Sequence, residues 1–500
     1  MALRKSLAAY HWCLRGSVMK RTAAFYILLL GIVSVGIILI LKVGAGLPAP
    51  STSVPIVEAR HATTVGVVPI SESFFSGLKE HLSEPLGNLF LQLVVIISAS
   101  RLVGWLFTKM GQPSVVGEMA AGIILGPSLF KVLAPGAFLF VFPAAGMGTL
   151  KLLSQVGVCL FMFSVGMDLN VNHVRKKAHT AVVVSHASIV IPYFLGVVLA
   201  YFLFSSLAQP GTSFLAFALF LGISMSITAF PVLARILQDR GLSKTFLGST
   251  AITCAAVDDV TAWSILAFVV AIVQATSLAA SALNLSLVVA FVLLMIYGVR
   301  TALPLLLGTH RLEQDQPSKG VLAVIICVVL AAALCTEIIG IHALFGAFLA
   351  GAIMPETSDF RHKLNVRIEN FSSVLLLPLF FAFTGLRTQV GLLNDVQGWL
   401  TCLLIIAVAT AGKLGGTAIS ARFVGMSWRE SLKLGALMNT RGLMELIALN
   451  IGFDLGILSP RIFTMLVIMA LVTTMLTGPL LSLFGTAESV RDSDELPSIS

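Results

Sequence analysis

The sequence predicts an all-α polytopic membrane protein whose two halves are inverted repeats, and three observations carry that prediction. Of its 500 residues, 57% are hydrophobic and only 11% charged, whereas soluble domains carry about 25% charged residues. About fourteen apolar stretches reach the roughly 17 to 25 helical residues needed to cross a hydrocarbon core of about 30 Å. Short strings roughly 210 to 230 residues apart resemble one another in the same order, the mark of an internal repeat. The composition excludes a soluble enzyme, a disulfide scaffold and a disordered chain. The net charge of +9 comes without any basic run interleaved with aromatics, so no nucleic acid is expected as partner. The excess fits the positive-inside bias of membrane proteins, and the expected partner is the lipid bilayer. Six cysteines (Cys13, Cys159, Cys254, Cys327, Cys335, Cys402) lie mostly in apolar stretches with no CxxC pair, and are read as packing residues.

The first apolar stretch, Ala23 to Leu41, follows Arg4, Lys5, Arg15, Lys20 and Arg21. It exceeds the 7 to 15 residues typical of a signal-peptide core, so residues 1–46 are expected to form a basic flank and an uncleaved anchor; cleavage near Ala45 to Pro50 is the alternative. A Pro/Ser/Thr-rich extracytoplasmic linker, 47–87, leads into a transmembrane domain, 88–484, followed by a short cytoplasmic tail, 485–500. Its spans are expected at 88–108, 113–133, 148–168, 180–206, 214–237, 246–273, 277–299, 318–338, 341–355, 369–387, 397–420, 432–453 and 461–484. With the N-terminus inside, every second connection is inside too. Those connections hold Lys109, His173 to Lys177, Arg235 to Lys244, Arg300 to Lys319, Arg361 to Arg367 and Arg422 to Lys433. They are the basic ones, so both termini are expected in the cytoplasm, in a bacterial-type inner or plasma membrane.

The repeat pairs Gly117-Glu-Met-Ala-Ala-Gly-Ile-Ile with Gly346-Ala-Phe-Leu-Ala-Gly-Ala-Ile, and Leu160-Phe-Met-Phe-Ser-Val-Gly-Met with Leu379-Phe-Phe-Ala-Phe-Thr-Gly-Leu. Chance likeness among Gly/Ala/Phe-rich helices is the competing reading. An odd number of helices separates corresponding spans, so one half is inverted: repeat one covers about 88–273 and repeat two about 318–484. Inverted repeats are an architecture of secondary transporters, whose sites lie near the midplane where helices break.

Two segments read as broken. Ser224-Met-Ser-Ile-Thr-Ala-Phe-Pro-Val-Leu-Ala-Arg places hydroxyl residues and Pro231 inside an apolar span, and proline removes a helix hydrogen bond. Met438-Asn-Thr-Arg-Gly-Leu-Met-Glu-Leu sits at the matching place in the second half, with Gly442 beside polar groups. A plain proline kink is the alternative for the first. Two breaks at matching positions favour a crossed pair.

Asp258-Asp259 lies mid-span, where one carboxylate costs about 2.5 to 3.5 kcal/mol on an insertion scale. Adjacent helix residues point about 100° apart, so one can line a cavity while the other pairs with a neighbouring helix. Lys413, flanked by Gly412, Gly415 and Gly416 that admit a close backbone, is the partner candidate. A Lys413–Asp258 pair would leave Asp259 free, although such a lysine can also be purely structural. Secondary candidates are Glu118, Glu337, Arg441 and Glu445. Arg441 and Glu445 read first as an i,i+4 structural pair, and Glu118 and Glu337 as boundary or funnel residues. His342 reads as an interfacial packing residue.

The strings Ile227-Thr-Ala-Phe-Pro-Val-Leu-Ala-Arg-Ile-Leu, Ala256-Val-Asp-Asp-Val-Thr-Ala-Trp, Gly340-Ile-His-Ala-Leu-Phe-Gly-Ala-Phe-Leu-Ala-Gly and Met438-Asn-Thr-Arg-Gly-Leu-Met-Glu-Leu closely resemble the monovalent cation:proton antiporter-2 family, with its plant and fungal cation/H⁺ exchanger branch. The resemblance spans about 88 to 484. It implies an inverted-repeat cation/proton antiporter fold with two crossed discontinuous helices, about 13 core helices to which this chain adds one N-terminal helix, a panel and a core domain, and a homodimer. It also implies exchange of Na⁺ or K⁺ for H⁺ without a cofactor. Thr228 matches the first unwound segment, Asp258 and Asp259 the acidic motif, and Lys413 the basic residue opposing it. Many relatives have Asn-Asp or Gln-Asp instead; the double acid is associated with electrogenic exchange. Relatives often carry a long cytoplasmic regulatory region, and with only Ala487 to Ser500 beyond the last span no nucleotide gating of that kind is expected.

The expected mechanism gives Asp259 both H⁺ and the transported metal cation, Na⁺ or K⁺, at different stages, with Thr228 and exposed carbonyls as neutral ligands and Asp258 holding Lys413. A passive monovalent cation channel is the alternative, but no TVGYG-like filter is present. An intramembrane aspartyl protease needs two carboxylates facing one water, which adjacent residues on one helix do not supply.

Overall fold

The computed structural model describes residues 27–47, 84–168, 178–243, 245–274, 278–307, 318–355 and 360–485, and the described residues are helical apart from turns, short connections and one isolated bridge, Ala208 to Leu458. The basic N-terminal flank, most of the 47–87 linker, the His173 to Lys177 loop, Lys244 and nearly all of the tail lie outside the described residues. Twelve helices there are long and apolar enough to cross a membrane, and Ala343–Ala352 is a shorter apolar one.

In chain order the helices are α1 (Ile27–Gly44), α2 (Pro85–Lys109), α3 (Ser114–Leu125), α4 (Phe130–Leu133), α5 (Pro135–Val141), α6 (Met147–Asp168), α7 (Ala178–Leu207), α8 (Phe214–Ser226), α9 (Phe230–Asp239), α10 (Phe246–Gln274), α11 (Leu278–Leu293), α12 (Arg300–Leu307), α13 (Lys319–Ile339), α14 (Ala343–Ala352), α15 (Phe360–Phe371), α16 (Leu377–Arg387), α17 (Val396–Phe423), α18 (Trp428–Met438), α19 (Leu443–Asp454) and α20 (Pro460–Leu483). π-turns at Leu294–Val299 and Ser372–Leu376 join α11 to α12 and α15 to α16. The caps are local chemistry. Ser213 and Ser318 accept backbone N–H groups at the starts of α8 and α13, and Ser427 with Glu430 forms a full capping box at α18.

Two expected loops are partly helix. Arg300 continues a helix through to Leu307, and Arg361 to Arg367 lie inside α15. In both places charge suggests a loop, but a helix can carry its cationic turn beyond the hydrocarbon. The 341–355 span is only ten residues of helix, because Gly340 ends α13 with φ 90° and His342 follows at φ 78°.

The repeat is visible in the packing. α2 lies on α3 and α13 on α14, while α3 packs on α16 and α14 on α6, so the halves exchange their second helices. Glycines permit this. A Cβ at Gly122 or Gly385 would collide with the facing α16 or α3 backbone, and one at Gly351 or Gly166 with that of α6 or α14. Each repeat string thus touches a member of the other pair, 117–124 against 379–386 and 346–353 against 160–167. α2, α3, α6 and α13 to α16 thus form a scaffold body. α7 to α10 and α17 to α20 form a second body, in which α7 packs on α8, α10 and α17, and α17 on α18 and α20. The two broken helices belong to the second body.

Candidate ion-binding site

The first break follows from Pro231, the second residue of α9. Proline donates no hydrogen bond and its ring clashes with the carbonyl four residues back, here Ile227, so it fits the first turn of a new helix but not the continuation of α8. Ile227 and Ala229 are extended, so Thr228 sits in an unwound link between α8 and α9. The second break, Asn439 to Gly442, separates α18 from α19. The breaks cross in direct contact: the Ala229 N–H donates to the Thr440 carbonyl at 3.0 Å, and the Thr228 hydroxyl lies 3.1 Å from the Met438 carbonyl. Unwound backbone at this depth requires such internal partners.

Arg441 ties the breaks together. Its guanidinium donates to the carbonyls of Ser224 at 2.8 Å and Met225 at 2.6 Å, the open C-terminal end of α8, and to Glu445 at 3.2 Å. A cation at a helix C-terminus and an anion in the first turn of α19 both complement helix dipoles. The i,i+4 pair is present, but Arg441 precedes the helix rather than lying on its face. Thr474 of α20 accepts the Arg441 N–H at 3.0 Å, and Thr440 and Thr477 hydroxyls lie 3.3 Å apart, so α20 splints the second break.

Asp258, Asp259 and Lys413 are buried, as are Thr228 and Glu445. Lys413 Nζ reaches Asp258 Oδ2 at 2.9 Å and Thr228 Oγ1 at 2.6 Å. The Thr228 hydroxyl donates to the same Asp258 oxygen, while Ser185 and Ser188 of α7 donate to Oδ1 at 2.8 and 3.0 Å. Asp258 is therefore fully satisfied. Thr228 was expected to stand as a neutral ligand beside Asp259; its hydroxyl is committed to the Asp258–Lys413 pair instead.

Asp259 is the opposite case. It is 1% exposed, yet neither carboxylate oxygen has a hydrogen-bond partner. The Phe230 N–H at the start of α9 acts on it electrostatically, outside the geometry of a full hydrogen bond. An isolated buried carboxylate is too costly to persist bare. It calls for a proton or a metal cation, and both oxygens are free to take either. Asn439 Oδ1, also buried in the second break, is likewise without a partner.

Comparison with known proteins places this geometry. Residues 95–486 match the family model described as "Sodium/hydrogen exchanger, transmembrane". The chain belongs to the sodium/hydrogen exchanger family. Members are transporters, so this exchanger is not an enzyme. It is 44% identical over 393 residues to the Na(+)/H(+) antiporter NhaS4 of Synechocystis, covering 78% of this chain and 96% of that one. It is 37% identical to cation/H(+) antiporter 17 of Arabidopsis thaliana (85% of this chain, 52% of the relative) and 32% identical to K(+)/H(+) antiporter 1 of Saccharomyces cerevisiae (82% and 48%). The chain thus spans about half the length of those plant and yeast relatives. The sodium proton antiporter MjNhaP1 of Methanocaldococcus jannaschii shares the fold, with TM-score 0.55 and 14% identity over 79% of this chain and 97% of that one.

The remaining candidates of this exchanger lie elsewhere. Glu118 of α3 is buried against α2, 3.9 Å from Arg101. Glu337 accepts the Ala343 N–H at 2.8 Å and so caps α14. Both belong to the scaffold body. Of the glycines near Lys413, Gly412 and Gly416 face α7 closely, whereas Gly415 faces open space.

The two bodies leave unequal spaces between them. At the α2–α3 turn, a cleft of about 320 Å³ is lined by Thr108, Pro113, Arg235, Asp239 and Thr474. A second space, between α6, the start of α14, α16 and α19, measures about 30 Å³ and is lined by Ser154, Gln155, His342, Asn450 and Asp454. Over that small cavity Asp454 of α19 holds Lys151 at 3.2 Å and Arg387 at 2.6 Å, and Asn450 accepts from Arg387 at 3.0 Å. These are bonds from one body to the other.

Proposed function

We propose that the chain exchanges Na⁺ or K⁺ for H⁺, with Asp259 as the single site at which proton and cation compete. The observation that carries the reading is a buried carboxylate with two unpartnered oxygens beside two crossed helix breaks, in a member of an exchanger family. Competition for one carboxylate makes the exchange obligatory: the site reloads with one ligand only after releasing the other. Asp258 holds Lys413 and, through Thr228, the geometry of the first break. Backbone carbonyls of the breaks and the Asn439 amide oxygen are the neutral oxygen donors available to a hard monovalent ion. The names of the relatives, Na(+)/H(+) and K(+)/H(+) antiporters, support both cations as substrates.

The broken-helix body is the moving part in this reading. A wide cleft on one side and a sealed, ion-paired space on the other are the features of a carrier open to one side at a time, and argue against a continuous channel. The antiporter unit covers 88–484, two copies pair through the scaffold body, and both termini face the cytoplasm of a bacterial-type inner membrane. The test is proton flux in proteoliposomes, followed with a pH dye during stepwise addition of Na⁺, K⁺ and Li⁺. Flux that saturates with one of these cations and vanishes in Asp259→Asn is expected. Full flux in that variant, or cation leak without proton movement, overturns the reading.

A further inference from the structure

We propose that the acidic segment after Gly485 docks into a basic cavity formed by the ends of α9, α10, α18 and α20. That cavity has a volume of about 370 Å³ and is lined by Arg240, Thr245, Lys433, Ser482 and Gly485, with Leu481 in its apolar wall. Among the described residues, neither Arg240 nor Lys433 has an ion-pair partner. The nearby acid, Glu430, is committed to capping α18, where it accepts from both the N–H and the hydroxyl of Ser427. Glu430 itself lines the cavity and keeps its charge, so the cavity holds two cations against one carboxylate and is net positive.

The occupant is argued from where the chain goes. It leaves from the cavity wall itself: a Cβ at Gly485 would lie 3.9 Å from Lys433 Nζ. The residues that follow carry Glu488, Asp492, Asp494 and Glu495 against the single cation Arg491. Three extended residues reach about 10 Å and seven about 24 Å, so Glu488 can reach Lys433 and Asp492 can reach Arg240. Each exposed ion pair is weak by itself. The tether makes up for that, because a short linker presents its acids at millimolar effective concentration. A phospholipid headgroup offers the same charge but no tether.

Docking there bears on the site. α9 and α18 are halves of the two broken helices, α10 carries Asp258 and Asp259, and Arg240 also lines the cleft between the bodies. A docked segment ties these elements together and slows the movement of the broken-helix body. That consequence rests on the transport reading above; the docking itself does not.

The test is tryptic cleavage after Arg491 in the full-length protein, timed by mass spectrometry in phosphatidylcholine and in phosphatidylglycerol vesicles. Protection is expected at low salt in phosphatidylcholine, with cleavage several-fold faster in Arg240→Gln/Lys433→Gln and in wild type at 1 M salt, where the Debye length falls to about 3 Å. Protection should return in Arg240→Lys/Lys433→Arg. Equal cleavage of wild type and the glutamine variant overturns the proposal. So does protection only in phosphatidylglycerol, which would make the cavity an anionic headgroup site. Faster exchange in the glutamine variant is expected alongside. Normal docking in a protein that exchanges nothing would sink the transport reading and leave this one standing.

Discussion

Lys413→Met removes the buried cation and leaves Asp258 without a counter-charge. Breaking a buried pair from one side costs about 3 to 5 kcal/mol, because the surviving charge is uncompensated. Three hydroxyls, Ser185, Ser188 and Thr228, still donate to Asp258. Hydrogen bonds to charged groups contribute about 1.5 to 3 kcal/mol each, so the expected loss sits near the lower end, about 3 kcal/mol. Adding Asp258→Asn removes the orphaned charge, and replacing both partners is close to neutral. The double variant is therefore expected to regain most of the loss. Thermal unfolding of the purified protein, run on both single variants and the double, closes the cycle and isolates the coupling. Simple addition of the two single losses would refute an energetically coupled pair.

The other variants probe what surrounds it. Arg441→Met frees two helix-end carbonyls and isolates Glu445, so a loss of about 3 to 5 kcal/mol is expected, with partial recovery in Arg441→Met/Glu445→Gln; no recovery contradicts the pairing. Gly166→Val drives a side chain into the Phe348 carbonyl, and thermal unfolding should register about 1 to 3 kcal/mol or more from overpacking; an unchanged midpoint would mean that the α6–α14 contact inside the scaffold body is looser than described. Asp454→Asn withdraws the anion shared by Lys151 and Arg387, so a cysteine placed at Gln155 should react faster with an impermeant thiol reagent from that side. An unchanged rate would show that the ion pairs do not hold that face closed.

The sequence carried the broken helices, the acidic pair and its lysine because each violates what a lipid-facing helix tolerates. Ser185 and Ser188 are not legible as Asp258 partners, because serine in an apolar helix ordinarily bonds its own backbone and nothing local says which helix will face it. Arg441 was read through its four-residue spacing from Glu445, but Gly442 precedes the helix start, so the arginine turns toward α8 instead. Thr228 is legible as part of the break, but its hydroxyl's bond to Asp258 is not. Which of two adjacent carboxylates a hydroxyl meets depends on the rotation of α10 against α9, a tertiary fact. Asp454 lay at a helix end, where acids are common, and only the approach of α6 and α16 gives it two cations.

The central claim is competition at Asp259, and the most direct test is proton release on cation binding. Purified protein in weak buffer is titrated with Na⁺ or K⁺ while pH is followed. Below the site's own titration one proton should leave per cation bound and the apparent Kd should rise about tenfold for each unit of pH lost, with both effects absent in Asp259→Asn. Cation binding that releases no proton and keeps one affinity across that range would contradict a shared site.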